Sequence, residues 1–185
     1  DASKRNIGEA CFFRAYSYFE LVKTYGEVPL LKAKIQTPLD GIKPKETVDN
    51  LYAFIDSNLQ VAVEYLPLNA AGWGPGFDGR LTKGAANTLW AQTYLFRKNW
   101  ARVAELCNTV IGSGQYALLE NFSDVWKDGV NGAGKNSSES VWEMNSNVGE
   151  NAVSNGSLYN GTAWGTCQQI RQNGASQEWN LGWGW

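Results

Sequence analysis

Gly8-Glu9-Ala10-Cys11-Phe12-Phe13-Arg14-Ala15-Tyr16-Ser17-Tyr18-Phe19-Glu20-Leu21-Val22-Lys23-Thr24-Tyr25-Gly26-Glu27-Val28-Pro29-Leu30-Leu31 decides how this chain folds. Phe12, Ala15, Tyr16, Phe19 and Val22 recur at helical spacing, and Ala10, Phe13, Leu21 and Tyr25 widen the stripe. The pattern predicts a helix from about Ile7 to Tyr25, apolar enough to be sandwiched between neighbours. Gly26 suits a C-terminal stop, and Pro29 blocks any resumption. A single arginine, Arg14, is set into the aromatic face.

Outward from this helix, residues 32–46 form a polar connection with Pro38, Gly41 and Pro44. A second amphipathic run predicts a helix over Val48–Tyr65, capped by Thr47 and ended by Pro67. Asn69–Gly79 is a Gly-rich loop carrying Trp73 and Phe77. Thr82 caps a third predicted helix, Lys83–Phe96, whose face of Ala85, Ala86, Leu89 and Thr93 is small enough for close packing. After a tight turn at Lys98-Asn99-Trp100 a fourth helix is predicted from Trp100 to Ile111, with Val103, Ala104, Cys107, Val110 and Ile111 facing inward. The third and fourth helices make a unit of about the 34 residues of a tetratricopeptide repeat, and the first two form a similar pair split by 32–46.

Beyond Gly112 the texture changes. Tyr116, Leu118, Leu119, Phe122, Val125 and Trp126 read as irregular cover over the helices. Ser140–Ser146 alternates as a short strand would. Val148–Trp185 reads as long loops. The expected organisation is an all-α, tetratricopeptide-like scaffold over 1–126, with long loops and one short strand element. A loop-rich start of a second lobe follows over 127–185.

Composition removes several function classes. The chain has 185 residues, 43% hydrophobic, with a net charge of −2. No basic stripe marks a nucleic-acid footprint, so no nucleic-acid partner is expected. Histidine is absent, which excludes Ser-His-Asp and Cys-His catalysis and His-ligated metal within this chain. Cys11, Cys107 and Cys167 form no CxxC pair, and the first two are expected as buried thiols on helix faces. No apolar run reaches the roughly 18 residues of a membrane span. Gly72–Gly79 lacks the Gly-Lys-Ser/Thr ending of a phosphate loop. No cofactor or metal is expected. The chain opens on Asp1 and closes on Trp183-Gly184-Trp185, and it reads as an excised stretch of a longer protein.

The order and spacing of these segments resemble the SusD/RagB family of Bacteroidetes surface lipoproteins. The family's first pattern is matched by Gly8, Glu9, Ala10, Phe12, Arg14, Ala15, Tyr18, Phe19, Leu21, Val22, Gly26, Val28, Pro29 and Leu30, with Phe13, Tyr25 and Glu27 as departures. A second is matched by Gly79, Arg80, Thr82, Lys83, Gly84, Ala85, Ala86, Leu89, Ala91, Tyr94 and Leu95. Asn136–Glu143 resembles a third, shorter element. The resemblance implies a helical scaffold and non-catalytic capture of oligosaccharide or polysaccharide at the outer-membrane surface. It further implies delivery to a SusC-like TonB-dependent transporter. The lipidation cysteine, an N-terminal helix and a C-terminal lobe would lie outside this chain. Two other readings stay open: a helical-repeat adaptor that binds protein, and an enzyme with a carboxylate pair. For the latter, Asp78, Glu139, Glu143 and Glu178 occur singly, without a motif.

Candidate side chains divide by context. Trp90, Trp100, Trp126 and Trp142 sit in periodic or strand-like segments and are expected in the core. Trp73, Trp164, Trp179, Trp183 and Trp185 sit in Gly-rich loops. Indole stacks on the C–H face of a sugar, while amides and carboxylates bond its hydroxyls. Trp73, Asp78, Trp164 and Gln168 are therefore the glycan-binding candidates. Arg14 is expected as a structural arginine, paired with a carboxylate or helix-end carbonyls, its stem packed on rings. Glu9 and Arg80 are expected to bond one another or loop backbone.

Overall fold

The computed structural model describes residues 1–77, 79–126, 134 and 136–143. The chain divides into two compact units, Asp1–Glu143 and Met144–Trp185, and every described residue lies in the first.

Helix α1 spans Ala2–Tyr25 and begins five residues before its apolar stripe does. Residues 3–6 are polar and so carry no periodic signal, yet the Asp1 carboxylate accepts a hydrogen bond from Ser3 N (3.0 Å) and caps the first turn. At the other end, Gly26 (φ 69°) closes the helix by donating to Val22 O. Helices α2 (Val48–Tyr65), α3 (Lys83–Phe96) and α4 (Trp100–Gly112) fall where the periodicity puts them. Thr47, Thr82 and Asn99 cap them, each accepting from the backbone N–H three residues on.

The core is the seam between α1 and α2. Phe12, Ala15 and Phe19 meet Leu51, Ile55 and Leu59, all essentially closed to water. Each large side chain so buried contributes about 1.5–3 kcal/mol. At Gly8, an added Cβ would sit 3.1 Å from Tyr65 Cβ, so this glycine lets the end of α2 approach α1 closely. α2 then packs on α3, and α3 on α4. The result is two helical hairpins stacked side by side, the tetratricopeptide-like arrangement. The polar connection returns through Val28, whose carbonyl accepts from Glu46 N (3.0 Å), and through Leu31, whose N–H donates to the Tyr18 hydroxyl (2.7 Å).

Several expectations are corrected. The α1 helix is less enclosed than expected: α2 covers it, α3 and Trp142 touch it, and Phe13, Leu21 and Tyr25 stay exposed. α4 buries Leu106, with Val103 and Val110 half-buried. Ala104, Cys107 and Ile111 face outward, because α3 touches only the opposite side. Trp100, Leu118, Phe122 and Trp126 are exposed too, so the segment after α4 does not blanket the helices. Cys11 is buried, whereas Cys107 is exposed; Cys167 lies outside the described residues. No strand forms among the described residues, only an isolated antiparallel bridge between Pro29 and Lys45. Over 140–143 no partner strand is at hand, and residues 144–146 lie outside the described region.

Candidate functional site

The site is assembled by a loop that α1 grips. Arg80, at the end of the 67–81 loop, forms an ion pair with Glu9 on α1; Arg80 Nε donates to Glu9 Oε1 at 3.1 Å. The Glu9 carboxylate also raises the pKa of the Arg80 guanidinium above its usual value, so Arg80 stays charged. The guanidinium lies 3.6 Å from the centroid of Trp73, a cation–π contact. Beneath it, Trp73 Nε1 donates to Leu81 O (2.7 Å). Arg5, on the first turns of α1, bonds the Gly72 carbonyl and lies over the same indole. The early start of α1 therefore matters to the loop: it adds Arg5 and Asn6 to Glu9 as contacts with it.

The second wall is built on the N-terminus of α3. Gly84 has no Cβ because an added one would sit 2.2 Å from the Tyr116 hydroxyl oxygen. Tyr116 lies across this space and shares a hydrogen bond with Thr82 Oγ1 (2.7 Å). Its neighbour Gln115 accepts from Asn69 Nδ2 (3.0 Å), tying the two loops together. The third wall is 136–143. Ala117 N donates to Ser138 O (3.0 Å), and Ser138 Oγ donates to Ala117 O (3.1 Å). Leu119 N donates to Glu139 Oε2, and Asn136 N to Glu143 Oε1. Trp142 meets Phe12, Phe13 and Tyr16 edge-to-face, with centroids 5.2–6.1 Å apart.

These three walls enclose a cleft of about 430 Å³. Its lining is mainly amide and hydroxyl: Asn69, Gln115, Tyr116, Asn136, Ser137 and Ser140, with Trp142 as the large aromatic. Such groups both donate and accept without net charge, which suits a polyhydroxylated ligand. Glu139 and Glu143 each accept a backbone N–H. Among the described residues no cluster of His, Cys, Asp or Glu is placed to hold a metal.

The sequence candidates fare differently. Trp73 is 8% exposed and its polar edge is spent on Leu81, so it anchors the loop rather than offering an open platform. Asp78, Trp164 and Gln168 lie outside the described residues, although Gly79 and Arg80, next to Asp78, line the cleft. Among the described residues Arg14 meets no carboxylate: its Nε donates to Asn58 Oδ1 (2.7 Å), and its guanidinium lies 5.2 Å from the Phe54 centroid. It is largely exposed and serves a buried amide, because α2 presents Asn58 and no acid at that level. Asn69, Gln115, Asn136 and Ser140 were absent from the sequence candidates. Amides in polar loops give no signal until the fold brings positions 69, 115 and 140 together. Trp142, expected in the core, is also a wall of the cleft.

A family profile, SusD-like and described as starch-binding associating with outer membrane, matches residues 1–95. SusD-like protein P25 of Formosa agariphila is 25% identical over 139 residues, covering 75% of this chain and 25% of that protein. Among solved structures, a SusD-like protein of Bacteroides fragilis superposes with a TM-score of 0.68 at 31% identity, over 80% of this chain and 29% of its own. A laminarin-binding SusD-like protein gives 0.59 at 25% identity, over 66% and 27%. The chain thus spans about a quarter of the length of the curated relatives it matches.

Proposed function

Because this chain belongs to the SusD-like family, we propose that the protein carrying it captures glycans, without catalysis, at the outer surface of the outer membrane. It passes them to a SusC-like TonB-dependent transporter, and a lipid anchor holds it at the surface. The observation that carries the reading is the family match over residues 1–95. Two others support it: a structural relative that binds laminarin, and a cleft whose lining is amide and hydroxyl. No helix among the described residues is long and apolar enough to cross a membrane, and the reading needs none. Asp78, Trp164 and Gln168 are further glycan contacts in this proposal, while Trp73 anchors the loop through Leu81.

Capture that feeds a transporter calls for reversible binding, with affinities in the micromolar to millimolar range, about −8 to −4 kcal/mol. A glycan array followed by isothermal titration on the intact protein tests this. Binding to one glycan class without release of products is expected. An intact, folded protein that binds no polysaccharide overturns capture. Failure to co-purify with a TonB-dependent transporter overturns delivery alone.

A further inference from the structure

The geometry points to the Asn69–Gln115–Trp142 cleft as a subsite for an uncharged oligosaccharide, with Trp142 as the stacking wall and the amide rim as the hydroxyl reader. This rests on the glycan-capture reading and names the ligand class and the residues. Size comes first. At about 430 Å³ the cleft falls in the range of small-molecule sites, about 300–1,000 Å³. Rigidity comes second. Trp142 is wedged against Phe12, Phe13 and Tyr16 on one helix and separates the polar cleft from a small apolar pocket lined by Phe12, Tyr16 and Leu89. A ring fixed in this way loses little freedom when a sugar settles on it.

Polar geometry comes third. The Asn69–Gln115 bond fixes two amides side by side; Gln115 Nε2 also donates to Ser113 O (3.2 Å), and among the described residues these bonds leave Asn69 Oδ1 and one N–H of each amide for a ligand. Adjacent donors and acceptors match the neighbouring hydroxyls of a sugar ring. Among the described residues, no hydrogen bond engages the Ser137 or Ser140 hydroxyl, and both line the cleft. Charge comes last and selects the class. Arg80 is the one cation among the described lining residues, and Glu9 holds it. Glu143 adds a carboxylate that accepts a backbone N–H and, among the described residues, pairs with no cation. A uronate or sulfated sugar would enter against this acid with no free positive partner, whereas a neutral sugar meets no such cost.

The test uses the intact protein, titrated with neutral probes (laminari-, cello- and malto-oligosaccharides) and anionic ones (oligogalacturonate, alginate oligosaccharides). Trp142→Phe keeps an aromatic against Phe12 while shrinking the stacking face. Ser140→Ala removes a hydroxyl with no structural bond, and Gln115→Ala breaks the amide rim. The expected result is binding of a neutral probe, weakened about tenfold by Trp142→Phe or Gln115→Ala and less by Ser140→Ala, with all three variants folded by circular dichroism and the melting temperature of Ser140→Ala unchanged. Neutral binding unaffected by all three variants overturns the cleft as the subsite and leaves capture standing. Preference for an anionic probe overturns the ligand class. Binding to no probe and to no arrayed glycan overturns capture itself, and this inference with it.

Discussion

At the scale of single residues, the Glu9–Arg80 pair has the most to lose. Both side chains are largely withdrawn from water, at 19% and 29% exposure, and Arg80 also roofs Trp73. Arg80→Ala leaves the Glu9 carboxylate unpaired and uncovers the indole, so a loss of about 1–3 kcal/mol is expected. That lowers Tm by about 2–4 °C per kcal/mol in a chain of this size, readable by calorimetry. Arg80→Lys keeps the charge but loses the planar stack and the forked bond, and should recover only part of the loss. Arg14 has a different job. Asn58 is 2% exposed, its Nδ2 donating to Phe54 O and its Oδ1 accepting only from Arg14 among the described contacts. Arg14→Ala strands that oxygen, at a cost of about 1–2 kcal/mol. In an Asn58→Ala background the same change should cost far less, and a double-mutant cycle without coupling would refute the link. Asp40 supplies a pH effect. Its Oδ2 accepts from Gln36 N and Thr37 N, and these backbone bonds, Thr37's first, lower its pKa from 3.8. A depressed carboxylate pKa gives stabilisation that is complete above 3.8 and disappears as pH falls through the lower folded value. The protection factors of Gln36 and Thr37, taken against the intrinsic exchange rate at each pH, should fall on acidification, and Asp40→Asn should remove that dependence.

At the scale of elements, boundaries were legible wherever an apolar stripe met a cap. Thr47, Thr82 and Asn99 stand immediately before periodic runs, and α2, α3 and α4 begin directly after them. The start of α1 was not legible, because an amphipathic reading sees nothing in Ser3, Lys4, Arg5 and Asn6. Those residues are helical through the Asp1 cap, and their value lies in the loop contacts of Arg5 and Asn6. The clamp between α2 and α3 was equally silent. Asp56 on α2 takes a forked bond from Arg97 (2.7 and 2.8 Å) and one from Trp90 Nε1 (2.7 Å), while Arg97 stacks on Tyr94. Nothing in the sequence couples positions 41 residues apart. Small residues were legible as close-packing signals, and Ala85, Ala86 and Leu89 are buried in the core with residues of α1 and α2. Gly84 stood outside that stripe: it accommodates Tyr116 from the loop after α4. Gly84→Ala should therefore push Tyr116 off Thr82, cost about 1–3 kcal/mol, and weaken ligand binding through Gln115. Thermal denaturation with Tyr116→Ala as a rescue background checks this, since the double variant should regain part of the stability.

At the scale of the whole molecule, the proposed glycan cleft was hidden for a topological reason. Its walls come from the loop before α3, the loop after α4 and residues 136–143, and each contributes ordinary amides and hydroxyls. Trp73 drew attention because it stands in a Gly-rich loop, yet a loop held by both Arg5 and Arg80 can bury its tryptophan. The stack of hairpins poses a second problem. α4 is apolar on two sides: Val103, Leu106 and Val110 turn toward α3, while Trp100, Ala104, Cys107 and Ile111 make a stripe at spacings of four, three and four residues. Among the described residues nothing covers that outer stripe; Trp100 is 61% and Ile111 73% exposed. An apolar stripe on the outer helix of a stack is a surface on which further protein can add. Expressed as it stands, the 185-residue chain should therefore self-associate and bind a hydrophobic dye such as ANS. Ile111→Lys lies on the exposed side, so it should change stability by no more than about 0.5 kcal/mol. The same substitution should shift the sedimentation profile toward monomer and cut dye fluorescence. Trp100→Glu should act in the same direction. If the parent chain sediments as a monomer at every concentration and binds no dye, the outer face of α4 is already satisfied and the stripe has no such role.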